Sequence, residues 1–227
     1  MSGASANAIH PEGKPLVVGI GGCSGSGKTW VARELARILD GTHFPLDHYY
    51  RDLSHLPPEQ RDQQDFDDPK MLESGLLAKH IAELAKGRAI DRPLYDFSTH
   101  TRVAGATERI EPGRVLVVDG IFALHYDSLL PLYDLAIYVN TPDDICFTRR
   151  LERDVNERGR TPESIATQYN ATVRPMAEKY VRPSARHAGL VLDGTAVLDW
   201  LVEQVFSELR RRHLLTAYSL PPGPSES

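Results

Sequence analysis

The stretch Gly22-Cys23-Ser24-Gly25-Ser26-Gly27-Lys28-Thr29 constrains this chain more than any other. It follows an apolar run, residues 16–20, and precedes a segment in which Val31, Leu35, Ile38 and Leu39 recur at helical spacing. The pattern G-x-x-x-x-G-K-T between a strand and a helix is that of a phosphate-binding loop. Its glycines let successive backbone N–H groups curl around phosphate oxygens with no Cβ in the way. The helix that starts there adds its positive dipole end. Lys28 is placed for the β- and γ-phosphates and the Thr29 hydroxyl for Mg²⁺. A glycine-rich loop that merely turns the chain is the plainer alternative, and the flanking strand and helix speak against it. The expected ligand is a nucleoside triphosphate, cradled by Gly22, Cys23, Ser24, Gly25, Ser26, Gly27, Lys28 and Thr29.

With 227 residues, 41% hydrophobic and 25% charged, the chain has material for one α/β domain with a sizeable core. The expected division is a loose arm at 1–14, the domain at 15–213 and a disordered tail at 214–227. A formal net charge of −5 argues against a general electrostatic grip on nucleic acid or on acidic membranes. Two cysteines, Cys23 and Cys146, make no disulfide framework and fit a reducing cytoplasm. The first residues lack a signal-peptide layout. No apolar run approaches the ~18 residues of a membrane span, since even 115–124 is broken by Asp119 and Gly120. A soluble cytoplasmic protein is expected, without nucleic-acid or membrane partners.

Along the chain, strands and helices alternate. Gly41 is read as the end of the first helix. A short strand at 42–46 leads into Asp47-His48-Tyr49-Tyr50, and 51–65 is mostly loop. Asp68-Pro69 reads as N-cap and first residue of a helix running to about Lys86 and stopping at Gly87. Residues 92–102 are aromatic and polar with no helical period. Residues 107–110 are expected to pair with 89–90 as a small hairpin flap. Further strands are expected at 115–118, 135–139 and 190–192, and helices at 143–156, 163–180 and 197–211. The alternation predicts a parallel sheet flanked by helices, of the P-loop NTPase type, with its ligand at the carboxyl ends of the strands.

An acid directly after a buried strand, here Asp119, is the usual second half of a P-loop site and holds Mg²⁺ through water; taken alone, such an acid is more often a turn residue, and the phosphate loop reverses that reading. Asp47, also just after a strand, is placed to accept a proton from an attacking hydroxyl or to bind the metal; the alternative is an Asp capping a local turn. Arg149, Arg150, Arg153, Arg158 and Arg160 crowd twelve residues, with Gly159 as a hinge. They read as a helical lid that closes on the transferring phosphoryl group. The alternative is a solvated face paired with Glu152, Asp154 and Glu157.

Taken together these motifs resemble the uridine kinase (uridine–cytidine kinase) family of the bacterial type, from about Leu16 to Leu192. The markers are 22–29, Leu46-Asp47-His48-Tyr49-Tyr50, Asp65-Phe66-Asp67-Asp68-Pro69, Pro93-Leu94-Tyr95-Asp96-Phe97 with His100-Thr101-Arg102, the arginine stretch 149–160, Gln168-Tyr169 and Val173-Arg174-Pro175-Met176. The resemblance implies ATP, with GTP as an alternative donor, Mg²⁺ held by Thr29, Asp47 and Asp119, and phosphorylation of the 5′-hydroxyl of uridine and cytidine. It makes Asp47 the base, with Lys28 beside it, and Asp67 and Arg150 the holders of the ribose 2′- and 3′-hydroxyls. Tyr95, Phe97 and His100 fall where the family packs and reads the pyrimidine, Gln168 at a further nucleoside position, and Arg153, Arg158 and Arg160 on the lid and phosphates. One imidazole nitrogen donates to O4 of uracil and an unprotonated one accepts from N4 of cytosine, so His100 suits both bases. The family also implies a homo-oligomer, a tetramer, and feedback inhibition by UTP or CTP. Two departures stand out: Asp119 where the family usually has Glu, and Leu192-Asp193-Gly194-Thr195 where it tends to read Pro-Arg-Gly. The rival readings are another small-molecule kinase, of the phosphoribulokinase or pantothenate kinase kind, and a nucleotide-binding regulatory module without catalysis.

Overall fold

The fold is taken from a computed structural model, which describes residues 14–61 and 63–215. The arm and the tail expected from the sequence lie outside these residues, except that Lys14, Leu214 and Leu215 are described, and the last two pack against the core. Five strands form a parallel sheet in the order β2-β5-β1-β6-β7: β1 Leu16–Gly22, β2 Thr42–Pro45, β5 Val115–Asp119, β6 Leu135–Asn140 and β7 Leu190–Asp193. Every residue of β1 and β5 is buried, as a strand covered on both faces requires. The alternation of side chains sorts them into two cores. Leu16, Val18 and Ile20 pack with Val115 and Val117 against α1 (Lys28–Ile38) and α5 (Leu198–Arg211). Val17, Leu116 and Val118 pack on the opposite face with Phe44, Leu46 and α2 (Ser74–Ala85). Among the described residues no helix is long and apolar enough to cross a membrane.

Three boundaries differ from the sequence expectation for local physical reasons. The turn ending α1 is made by Asp40, with φ 50°, while Gly41 permits a close pass, since a Cβ there would lie 2.6 Å from the Val115 carbonyl oxygen. Asp68 caps only one 3₁₀ turn, Pro69–Met71, accepting from the Lys70 amide at 2.8 Å. Leu72 is then extended and bridges to Tyr50, so α2 starts at Ser74. The hairpin is longer than expected: β3 (Ile90–Asp96) pairs with β4 (Thr101–Ile110) in a separate two-stranded sheet that absorbs most of 92–102. Its register shifts between Pro93 and Tyr95, where proline offers no N–H to the ladder. The hairpin is tied down by Arg102, which pairs with Glu73 and donates to the Tyr50 carbonyl at 2.9 Å.

The lid region is α3 (Asp143–Arg158) followed by α4 (Pro162–Gln168). Gly159 between them has φ 61°, a left-handed turn that suits glycine. Beyond α4 the helical path continues to His187 with two wide π turns, Tyr169–Val173 and Ala177–Val181. Each comes just ahead of an Arg-Pro pair whose proline cannot donate to a regular helical ladder.

Candidate active site

The carboxyl ends of β1, β2 and β5 bring together the phosphate loop, Asp47 and Asp119. Gly25 has φ 84°, and a methyl group there would collide with the Cys146 carbonyl oxygen on α3. Gly25→Ala is therefore expected to destabilise the fold by about 1–3 kcal/mol from overpacking alone, and to lose nucleotide binding, read by thermal melting with and without ATP. Lys28 is buried and its Nζ donates back to the Cys23 carbonyl at 3.4 Å, a long contact that a phosphate oxygen readily replaces. Thr29 Oγ1 donates to Asp119 Oδ2 at 2.7 Å, and His43 Nε2 lies 2.7 Å from Asp119 Oδ1. Burial pushes the Asp119 pKa up, but the histidine, Lys28 and the Thr29 hydroxyl outweigh it and hold the carboxyl below its ordinary value. A hydroxyl and an ionised carboxylate side by side form a hard-oxygen donor pair, which fits Mg²⁺.

Asp47 lies in the 3₁₀ turn Leu46–Tyr49 just past β2. Solvent reaches it, yet the protein massed around it takes away enough hydration to raise its pKa, with Asp119 adding to the rise. Lys28, Arg158 and Arg153 pull the other way, which places their charges around the same carboxylate. Asp67 is pushed up to about 6 by desolvation, against the opposing charge of Arg150. Arg150 is buried and joins two elements: it donates to Ser24 Oγ on the loop at 2.9 Å and to Gln168 Oε1 on α4 at 3.3 Å. Gln168 Oε1 also accepts from Arg160 at 2.6 Å, so this amide clamps α3 to α4.

The hairpin brings aromatic rings over this acidic floor. Tyr95 is buried and Phe97 half exposed, their rings 5.1 Å apart. His100 stacks on Phe66 at 4.9 Å, and Tyr50 bridges Phe66 at 5.4 Å and Tyr95 at 5.5 Å. His100 holds φ 52°, a left-handed conformation uncommon outside glycine. The Tyr95 hydroxyl is buried with no hydrogen-bond partner among the described residues, a polar atom that a ligand edge would satisfy.

Gly194 of the unusual segment 192–195 packs against the phosphate loop. Its carbonyl accepts from Arg149 at 2.9 Å, and Thr141 donates to the Ser26 carbonyl at 2.9 Å beside it. Four residues of the site have roles that local sequence does not mark. Tyr50 and Phe66 stand inside the family motifs, but their ring contacts are long-range. His43 is 76 positions from Asp119, and nothing local signals the pair. Asp154 fits a partner on a solvated face by spacing, whereas it is fully buried. A separate cavity of about 430 Å³, lined by Asp143, Phe147, Tyr169 and Arg174 among others, shares no residue with this group.

Residues 17–199 match the family model described as the phosphoribulokinase / uridine kinase family. A protein named uridine kinase from Leuconostoc citreum is 41% identical over 207 residues, which cover 87% of this chain and 98% of that one. Another of that name, from Chloroflexus aggregans, is 42% identical over 203 residues, covering 86% and 97%. Among solved structures, the phosphoribulokinase from Rhodobacter spheroides shares the fold with a TM-score of 0.58 at 14% identity, over 81% of this chain and 73% of that one.

Proposed function

Because the chain belongs to the phosphoribulokinase / uridine kinase family, we propose that it transfers the γ-phosphoryl group of ATP to the 5′-hydroxyl of uridine and cytidine, giving UMP and CMP. The observation that carries this reading is the meeting of Asp47 with the charges of Lys28 and Asp119 under a hairpin of aromatic side chains. The loop N–H groups and Lys28 hold the donor phosphates. Thr29 and Asp119, with Asp47 near, would hold Mg²⁺, which neutralises charge on the β- and γ-oxygens when bound. Asp47 accepts the proton of the 5′-hydroxyl, and its raised pKa makes it a better acceptor than an ordinary carboxylate. Asp67 accepts from the ribose hydroxyls while Arg150 donates to them, and Tyr95, Phe97 and His100 enclose the pyrimidine.

We read residues 15–213 as one kinase domain, ATP as the donor with GTP as an alternative, a homo-oligomer, the tetramer, as the working form, and the cytoplasm as its compartment. The test is nucleoside-dependent ADP release with uridine, cytidine, deoxycytidine, adenosine, pantothenate and ribulose 5-phosphate. Turnover confined to uridine and cytidine is expected. Turnover with pantothenate or ribulose 5-phosphate, or ATP binding with no acceptor, would overturn the reading.

Asp67 also gives a pH signature. Its carboxyl is ionised above about 6 and takes up a proton as the pH falls through that value, losing its capacity to accept from both ribose hydroxyls. KM for uridine is expected to rise about tenfold between pH 7 and pH 5. The rise should be smaller for 2′-deoxyuridine, which lacks one of those hydroxyls, and equal rises for both would remove Asp67 from the ribose site.

A further inference from the structure

The least exposed charged side chain described in the lid is one the proposed mechanism does not use. Asp154, in the last turns of α3, has 0% relative exposure, yet four guanidinium groups converge on it. Arg153 Nη2 lies 2.8 Å from Oδ1 and Arg158 Nη1 3.4 Å from it. Arg150 Nε and Arg160 Nη1 each lie 3.6 Å from Oδ2, which has no hydrogen-bond partner among the described residues. The main chain takes part as well: the Asp154 carbonyl accepts from the amides of Gly159 and Arg160, closing the turn that carries Arg158 and Arg160.

These contacts are of two kinds. Arg150 and Arg160 are fixed elsewhere, Arg150 by Ser24 and Gln168 and Arg160 by Gln168 Oε1 at 2.6 Å, and Arg153 is bonded to Asp154 Oδ1 through both Nε and Nη2. Arg158, half exposed, stands at 3.4 Å, near the limit of hydrogen-bond length, so its attraction to Asp154 is charge without a good directional bond. Four positive groups against one carboxylate leave a surplus of positive charge beside the phosphate loop, where Arg153 and Arg158 already act on Asp47. A polyphosphate arriving there offers Arg158 shorter, charge-assisted bonds than Asp154 does.

Resting on the phosphoryl-transfer reading, we infer that Asp154 is a positioning residue: a buried counter-charge that gathers the lid arginines and releases Arg158 to the donor phosphates. It keeps mutually repelling guanidinium groups close to where they act, and holds Arg158 too loosely to compete with a phosphate for it.

The test is Asp154→Asn, which keeps the shape and removes the charge. Binding of inorganic tripolyphosphate, measured by calorimetry, is expected to tighten on the order of tenfold, because a negative charge leaves the neighbourhood of the anion. In the same variant kcat should fall about tenfold or more, because the arginines are no longer held in register. Asp154→Glu, which restores the charge, should return anion affinity towards the wild-type value. A merely structural role predicts anion binding and turnover falling together with thermal stability, and that result would overturn the inference. Tripolyphosphate carries no nucleoside, so this arm answers even if the acceptor is not uridine. Should Asp154→Asn not fold, the wild-type protein with ¹⁵N-labelled arginine decides. Tripolyphosphate should displace the side-chain resonance of Arg158 and leave that of Arg150 in place; an unmoved Arg158 would overturn the inference.

Discussion

Asp47→Asn is expected to lower kcat for uridine by about 10²–10⁴-fold, the usual contribution of a general base, while ATP binding is retained. The side chain keeps its shape, so the turn Leu46–Tyr49 and the buried Leu46 and Tyr49 on either side are undisturbed. What disappears is the acceptor for the 5′-hydroxyl proton. The substitution also removes a negative charge that Lys28 feels, so the donor phosphates meet less repulsion and their affinity holds or improves. Because crowding raises the Asp47 pKa, the acidic limb of the wild-type kcat profile should fall at higher pH than an ordinary carboxylate would give. Near wild-type turnover in the variant would remove Asp47 from the role of base.

Lys28→Met is expected to cost about 10²–10³-fold in kcat, the scale seen when one preorganised electrostatic donor is lost from a transition state. The fold should suffer less. Among the described residues the ammonium's hydrogen bond is the 3.4 Å contact to the Cys23 carbonyl, and methionine fills the same slender space, but the charge that offsets Asp119 and Asp47 is lost. The melting temperature should therefore fall modestly while activity collapses, and the loss of activity should persist well below the new melting temperature. Activity that falls only in step with the folded fraction would show that Lys28 supports the loop and not the transferring phosphoryl group.

How much of this is legible in the sequence depends on how local each cause is. The loop 22–29 is readable because backbone conformation, charge and metal donor all lie within eight consecutive residues. Asp119 is readable because an apolar strand that stops at an acid delivers a carboxylate to the same sheet edge as the loop. Asp68-Pro69 misleads because the capping signal is real but satisfied by one 3₁₀ turn, after which the Leu72–Tyr50 bridge takes the chain out of helix. The hairpin is underestimated because Pro93 and the aromatic residues after it break the alternation that marks a strand. His43 and Asp154 show a deeper limit. His43 gains its place from a partner 76 residues away. Asp154 has the spacing of any i,i+4 partner of Arg150, and only the packing of the whole lid buries it completely. Periodicity reports which face a residue occupies, not which charges the rest of the chain will bring to it.

The most direct test of the central claim is the structure of the product formed from ATP and uridine, read by phosphorus–proton coupling in NMR. The account predicts UMP, its phosphorus coupled to the two 5′ protons of the ribose and formed one for one with ADP. A phosphate on the 2′- or 3′-oxygen, or ADP accumulating with uridine unchanged, would contradict it.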